Sequence, residues 1–199
     1  MKIITISREY GAGGHTIGKK VAEKLGIPIY DKDIIRATAK ASGIDIDTIL
    51  DEQEDASPAA SILRSICNFS SSYYTDTQAA IHDVQEAIIR NFAEEGPCVI
   101  LGRCADHTLK EAGFNVFNVF LHAALYDRVD YLRDQTGVED EAELRRMIAK
   151  RDSSRHNYYA KFTGKRWGEA GNYDLVLNRS VFGYDGCVEL ICSAVRAAK

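Results

Sequence analysis

A cluster of three glycines near the N-terminus is the part of this sequence best suited to bind phosphate. Gly11, Gly13 and Gly14 follow the apolar run Ile3–Ile6, and a helical pattern begins at Ile17. A loop between a strand and a helix can wrap backbone N–H groups around phosphate oxygens at the helix start. The sequence therefore predicts a phosphate-binding loop. We expect its contacts to come from Gly11, Ala12, Gly13, Gly14, His15 and Thr16.

This loop lacks the lysine that phosphate-binding loops usually carry. In the pattern G-x-x-x-x-G-K-[ST], Arg8 stands at the first glycine, Gly13 at the second and Gly14 at the lysine. The missing lysine removes a positive charge beside the β- and γ-phosphates. Arg8 is the predicted replacement, because it leaves the carboxyl end of the strand, where α/β sheets hold ligands. Lys19 and Lys20 lie a turn into the helix and are interpreted as a solvated face.

Strands that alternate with helices must position this loop. The short apolar runs at 98–101 and 116–121 are typical of strands covered on both faces. The alternation predicts an α/β fold with a five-stranded parallel sheet and helices on both faces. The predicted strands are 2–7, 27–30, 98–101, 116–121 and 175–177. Helices are predicted near 16–25, 32–41, 43–51, 59–70, 75–94, 103–111, 124–135, 139–157 and 188–195, with an exposed connection at 51–58 and a loop at 160–172.

Composition limits the kinds of protein this chain can be. Its 199 residues, with 45% apolar and 27% charged side chains, suit one domain with a sizeable core. A net charge of −4 argues against a general nucleic-acid binder but allows a small anionic ligand in a basic pocket. Five cysteines without a C-x-x-C pair predict reduced thiols and a cytoplasmic protein. We expect no leader and no membrane span.

Six motifs in order along nearly the whole chain carry a resemblance to a known family. They are I-S-R-E-Y-G-A-G-G at 6–14, I-Y-D-K-D-I-I-R at 29–36, G-R-C-A-D at 102–106, R-D-S-S-R at 151–155, Y-Y-A-K-F-T-G-K-R-W-G at 158–168 and Y-D-L-V-L-N at 173–178. The chain resembles the cytidylate kinase-like family, a branch of the P-loop nucleoside monophosphate kinases. The resemblance implies one P-loop kinase-like domain over 1–199, with a helical acceptor-side insert at about 32–95 and a helical lid at about 139–172.

The same resemblance implies an activity and a set of acceptor-binding residues. The activity is ATP-dependent phosphoryl transfer to a nucleoside monophosphate, most favourably CMP or dCMP, with Mg²⁺ as cofactor. Arg36 matches an arginine that grips the acceptor phosphate, and Asp31 and Lys32 lie beside it. Arg103 matches a second arginine that holds the same phosphate. Asp106 is positioned to hydrogen-bond a base or a ribose.

Two arginines in a predicted helix match the lid of such kinases. Arg151 and Arg155 are four apart on one face and would close over the transferring phosphoryl group. Phosphoryl transfer depends on charge stabilisation and in-line positioning, and arginine forks bind phosphate in bidentate fashion. The predicted catalytic residues are therefore Arg8, Arg151 and Arg155. Thr16 is the candidate Mg²⁺ ligand.

Several alternatives stay open at this point. Gly14 and Leu101 depart from the family pattern, since relatives carry an acidic residue at the position of Leu101. A non-catalytic nucleotide-binding or regulatory protein that kept the fold is one alternative, and a kinase for another small acceptor is a second. The arginines Arg151 and Arg155 also have neighbouring carboxylates, such as Asp152, with which to pair. The long tract at 44–95 raises the hypothesis of a homodimer face.

Overall fold

The computed structural model describes residues 2–43 and 77–198. Within these ranges the chain forms five strands and seven α-helices. The strands are β1 (Ile3–Arg8), β2 (Ile29–Tyr30), β3 (Val99–Leu101), β4 (Val116–His122) and β5 (Leu175–Asn178). The helices are α1 (Gly14–Leu25), α2 (Lys32–Ser42), α3 (Thr77–Glu94), α4 (Ala105–Glu111), α5 (Leu125–Thr136), α6 (Glu141–Thr163) and α7 (Arg179–Ala197), with a short 3₁₀ turn at Ala170–Asn172.

All five strands pair in parallel in the order β2-β3-β1-β4-β5, which confirms the predicted sheet. The central strand β1 pairs with β3 on one side and with β4 on the other. From β1 the chain first runs toward the β2 edge and, after β3, crosses to the opposite side. The carboxyl end of β1 is therefore a topological switch point, where open α/β sheets bind ligands. Arg8 and the glycine loop lie at this end.

Helices cover both faces of the sheet, as the sequence predicts. Ile17 of α1 and Ile191 of α7 are fully buried in the core on one face. Ile34 of α2, Ile89 of α3 and Leu109 of α4 are fully buried in the core on the other face. Burial of one such side chain stabilises the fold by roughly 1.5–3 kcal/mol. These two cores hold β1 rigidly between its helices and so fix the start of the glycine loop.

Helix α6, predicted at 139–157, is longer than the sequence predicts. The prediction ended it near residue 157 and placed a loop at 160–172, whereas α6 continues to Thr163 and ends at Gly164 in the left-handed conformation. The extension has a physical cause. Tyr158 and Tyr159 are buried with Cys104 in a small apolar cluster, and their packing stabilises another turn of helix. The glycine, lysine and aromatic content of 160–168 gave no sign of this contact.

Several predictions concern parts of the chain that the structure does not describe. The predicted helices at 43–51 and 59–70 and the connection at 51–58 lie wholly or almost wholly outside the described residues. The insert at 32–95 and the homodimer face at 44–95 include these residues and therefore stay predictions. The lid at 139–172 lies within the described residues and stays a prediction as well, because a lid is defined by closure over a ligand. In the ranges that the structure describes, every helix is too short or too polar to cross a membrane.

Candidate active site

The glycine loop joins β1 to α1 and needs glycine at two of its positions. Gly11 has φ 81° and Gly13 has φ 76°, a left-handed backbone that side chains with a Cβ rarely adopt. Space is limiting as well, because a Cβ on residue 13 would lie 2.5 Å from Cε1 of Tyr184. Gly11, Gly13 and Gly14 are all buried, and the Tyr184 ring packs against the loop at Gly13.

The side chain of Arg8 passes directly over Gly14. A Cβ on residue 14 would lie 2.6 Å from Cγ of Arg8 and 3.0 Å from its Cβ. Farther along the same side chain, a Cβ on Gly102 would collide with Nη1 of Arg8. The guanidinium also lies 3.6 Å from the Asp31 carboxylate. The Arg8 side chain thus packs against two glycines, Gly14 at the start of α1 and Gly102 after β3.

A strained turn at the end of β3 positions Arg103. Three successive residues have left-handed backbone angles: Gly102 with φ 71°, Arg103 with φ 63° and Cys104 with φ 54°. Each non-glycine residue in such a conformation costs about 1–3 kcal/mol and persists only where surrounding structure enforces it. Strain of this kind concentrates at functional sites. Here it turns the Arg103 side chain into the cavity at the carboxyl edge of the sheet.

Four arginines converge on that cavity. Its volume is about 120 Å³. Burial lowers the pKa of Arg103 to about 10 and that of Arg155 to about 9, and it lowers the pKa of Arg8 despite the nearby Asp31. Nη1 of Arg103 is buried and has no hydrogen-bond partner among the described residues. The lining residues are Ser7, Arg8, Gly102, Arg103, Cys104, Arg151, Arg155, Tyr158, Tyr159 and Trp167.

These pKa directions describe cations whose loss of water outweighs the stabilisation by nearby carboxylates, Asp31 for Arg8 and Asp152 for Arg155. Arg8 and Arg103 each lower the pKa of Arg155 by charge repulsion. Guanidinium groups remain charged in proteins, so loss of a proton does not relieve the unfavourable energy of these buried charges. That energy lowers the stability of the folded protein instead. A ligand with several negative oxygens would supply the missing hydrogen bonds and charge. The cavity is therefore suited to a phosphate-bearing ligand.

Contacts with the loop dock the helix that carries Arg151 and Arg155. Nη1 of Arg155 donates to the backbone oxygen of Arg8 at 2.8 Å. The backbone N–H of Tyr10 donates to Oδ1 of Asp152 at 2.8 Å. Arg151 and Arg155 also lie over the Tyr10 ring, at 5.7 and 5.5 Å from its centroid. Helix α6 is thereby held against the first half of the glycine loop.

Sequence reasoning missed Arg128, whose contacts connect the glycine loop to α6. Its Nε donates to the backbone oxygen of Tyr10 at 2.7 Å, and Nη1 lies 3.1 Å from Oε2 of Glu9. Its Nη2 pairs with Asp152. Arg128 is 6% exposed and joins three segments far apart in sequence. Asp152 therefore pairs with Arg128. This contact competes with the predicted alternative, in which Asp152 pairs with Arg151 or Arg155.

The acceptor-side predictions divide into residues at the cavity and residues away from it. Asp31 lies beside the cavity through its contact with Arg8, and Nδ1 of His15 lies 3.0 Å from Oδ2 of Asp31. The Arg36 side chain is 69% exposed and pairs with Asp33 at 3.4 Å, and Lys32 is also exposed. Neither lines the cavity.

Asp106 is buried and already has a partner. Its Oδ2 accepts a hydrogen bond from the Tyr159 hydroxyl at 2.6 Å. Burial raises the pKa of Asp106, while that hydrogen bond acts in the opposite direction. Tyr159 lines the cavity and Asp106 lies behind it. A ligand in the cavity would therefore contact Tyr159 rather than Asp106.

One carboxylate beside the loop bears on the predicted magnesium site. Mg²⁺ at nucleotide sites is held by one or two carboxylates together with phosphate oxygens and water. Asp31 supplies such a carboxylate, whereas Leu101 is fully buried in the core. Thr16 is the third residue of α1. Within the described ranges there is no cluster of three metal-ligating side chains. Asp31 and Thr16 are the residues that would hold a magnesium ion bound together with phosphates.

A buried histidine links α6 to α3. His82 is 5% exposed, its Nδ1 lies 2.8 Å from the Tyr158 hydroxyl, and its ring stacks on Phe162 with centroids 3.8 Å apart. Burial lowers the pKa of His82, although Glu86 opposes this shift. The folded protein therefore favours the neutral imidazole at this position.

We expect this histidine to make the fold sensitive to acid. In the unfolded chain an imidazole binds a proton near pH 6.5, whereas in the folded chain His82 resists protonation. The unfolded state therefore holds more protons as pH falls below about 6.5, and the free energy of unfolding decreases. Urea denaturation at pH 7.5 and 5.5 would measure this loss. The variant His82→Gln should lose less stability over the same interval, and parallel pH curves for the two proteins would contradict the assignment.

The comparisons of this chain with known sequences and with solved structures agree with each other. The model of the cytidylate kinase-like family matches residues 3–181. A cytidylate kinase of Archaeoglobus fulgidus is 28% identical over 200 residues, which cover 98% of this chain and 96% of that protein. A solved but uncharacterized protein from Eubacterium ventriosum has a TM-score of 0.74 at 24% identity, with 99% of both chains covered. A shikimate kinase from Bacteroides thetaiotaomicron has a TM-score of 0.55 at 15% identity, with 98% of both chains covered. The fold is that of the P-loop kinases.

Proposed function

The chain belongs to the cytidylate kinase-like family, and on that premise we propose that it transfers the γ-phosphoryl group of ATP to CMP or dCMP. The observation that carries the proposal is the convergence of Arg8, Arg103, Arg151 and Arg155 on one cavity at the carboxyl edge of the sheet. Phosphoryl transfer requires little covalent chemistry from the protein. It depends on positioning and on cations around the equatorial oxygens of the transferred phosphoryl group. A cavity lined by under-solvated arginines meets that requirement.

The glycine loop is the proposed site of the donor phosphates. The backbone N–H groups of residues 11 and 13–16 would bind the β- and γ-phosphate oxygens at the N-terminus of α1, where the helix dipole favours negative charge. The N–H of Ala12 donates to the backbone oxygen of Glu9 at 3.2 Å and would hold the loop in shape beneath the phosphates. When bound, Mg²⁺ neutralises charge on the donor phosphates, with Asp31 as the protein carboxylate and Thr16 as the candidate hydroxyl ligand. Arg8 is the proposed cation on the strand side of this loop.

The acceptor phosphate is proposed to bind at Arg103, with Asp31 beside it. Arg103 has a buried Nη1 without a hydrogen-bond partner in the described part of the chain, and a phosphate oxygen would satisfy it. Arg155 and Arg151 would stabilise the charge on the group in transit. Their docking on the loop also excludes water, which would otherwise accept the phosphoryl group.

The more distant residues complete the proposal for the acceptor. Arg36 and Lys32 lie on α2 with exposed side chains, and would approach a bound monophosphate from that helix once Arg36 leaves Asp33. Asp106 acts through Tyr159, to which it is hydrogen-bonded. An ordered Tyr159 hydroxyl at the cavity wall would then meet the nucleoside of the acceptor.

A coupled assay of ADP release tests the proposed function. With Mg·ATP and each of the common nucleoside monophosphates in turn, we expect turnover with CMP or dCMP and little with the others. Release of ADP without any acceptor serves as the control for hydrolysis. Calorimetric binding of ATP with no turnover for any monophosphate would contradict the proposal. That result would favour a nucleotide-binding protein without catalysis, the alternative that Gly14 and Leu101 support.

A further inference from the structure

We propose that Arg8 and Gly14 are one functional unit, in which the loop's cation has moved from the helix side of the loop to the strand side. Arg8 would supply the charge that a lysine at position 14 supplies in other phosphate-binding loops. Gly14 would be required only to admit the Arg8 side chain. The proposal rests on nucleotide binding at this loop, as argued above, and adds the residue that replaces the lysine.

The backbone gives no reason for a glycine at position 14. Gly11 and Gly13 have left-handed φ angles, and these positions need glycine for conformational reasons. Gly14 has no such angle and is the first residue of α1. The three atoms nearest to a Cβ there all belong to Arg8, whose Cγ, Cβ and Cδ would lie at 2.6, 3.0 and 3.2 Å. Glycine at 14 and arginine at 8 therefore depend on each other.

The far end of the Arg8 side chain is fixed just as closely. Its Nη1 occupies the space that a Cβ on Gly102 would need, and its Nη2 lies 3.6 Å from Oδ1 of Asp31. The guanidinium lines the cavity together with Arg103. A fixed guanidinium of this kind is pre-organised to bind phosphate oxygens, because little side-chain freedom remains to be lost on binding.

The lysines of α1 do not take this role in the structure. Lys19 is 64% exposed and lies 4.0 Å from Glu23, and Lys20 pairs with Asp185 at 2.7 Å. Both side chains are outside the cavity lining. Arg8 is therefore the residue of β1 and α1 whose positive charge reaches the cavity.

Restoring the ordinary motif tests the proposal. Arg8→Ala should weaken Mg·ATP binding by roughly 10- to 100-fold, because a charge-assisted hydrogen bond is lost. Gly14→Lys alone should also weaken binding, since the new side chain and Arg8 need the same space. The double substitution Arg8→Gly with Gly14→Lys writes G-x-x-x-x-G-K into residues 8–14. We expect it to recover binding to within a few-fold of the unmodified protein.

Calorimetric titration with Mg·ATP measures these effects, and circular dichroism confirms that each variant is folded. Lys19→Ala removes a nearby positive charge outside the cavity and should bind as the unmodified protein does. Equal affinity of Arg8→Ala and the unmodified protein would overturn the inference while leaving the proposed function intact. A double variant no better than Gly14→Lys would also overturn it. Absence of ATP binding in the unmodified protein would instead overturn the proposed function.

Discussion

Substitution of Arg103 by alanine is expected to lower kcat/KM for CMP by about 10- to 100-fold, the scale of a lost charge-assisted hydrogen bond to the acceptor phosphate. The same change should raise the free energy of unfolding of the ligand-free protein by about 1 kcal/mol. Arg103 is a buried cation with an unpaired Nη1, and its pKa is lowered first by burial and also by charge repulsion from Arg8. Without a ligand, its removal relieves an unfavourable charge.

A second variant separates charge from backbone strain. Arg103→Gly removes the same charge and also suits the left-handed φ of 63° at this position. It should therefore be more stable than Arg103→Ala, with activity equally low. The measurements are thermal denaturation without ligand and steady-state kinetics with CMP. Arg145→Ala, on an exposed face of α6 where Arg145 pairs with Glu141, is the matched control and should change neither. Unchanged CMP affinity in Arg103→Ala would show that the acceptor phosphate binds elsewhere.

Of the substitutions considered, Arg128→Met is expected to cause the largest decrease in the free energy of unfolding. Arg128→Met would leave the carboxylates of Glu9 and Asp152 and the backbone oxygen of Tyr10 without their shared partner. Breaking a buried ion pair typically costs 3–5 kcal/mol. Glu9 and Asp152 keep 27% and 22% exposure, so solvent reduces this cost, and we expect about 2 kcal/mol. The KM for ATP should rise as well, because the lid helix loses its attachment to the loop.

A double-mutant cycle with Asp152→Asn tests whether the two residues act together. Asparagine keeps an oxygen for the Tyr10 N–H but removes the charge that Arg128 neutralises. The double variant Arg128→Met with Asp152→Asn should be more stable than the sum of the single effects predicts. Urea denaturation of the four proteins provides the numbers. Strictly additive effects would mean that Arg128 contributes by packing alone.

The sheet and its central loop could be predicted because they depend on local patterns. Apolar runs of four to seven residues mark buried parallel strands, and the glycines after the first run mark a tight entry into a helix. The chain order of strands and helices then limits the topology to a few arrangements. For this reason β1, α1, β3 and β4 lie close to their predicted positions, and Arg8 and Arg103 follow strand ends as expected.

The contacts that build the cavity could not be predicted in the same way. Arg128 meets Tyr10 across 118 residues of sequence, and Arg155 meets the backbone oxygen of Arg8 across 147. No periodic pattern marks either contact. The charge pattern near Arg128 is that of an ordinary solvated helix, and only the fold shows that this arginine is buried. The dependence of Gly14 on Arg8 is likewise steric and appears only when the two residues are placed in space.

The position of Trp167 has a spectroscopic consequence. This indole is the single tryptophan of the chain, and it lines the cavity beside the four arginines with its ring edge-on to Phe120. All tryptophan fluorescence of the protein therefore originates at the cavity wall. The emission of an indole depends on nearby charge and water, both of which a bound polyanion would change. The protein thus contains an intrinsic optical probe of this site, so occupancy can be followed without a label or a coupled reaction.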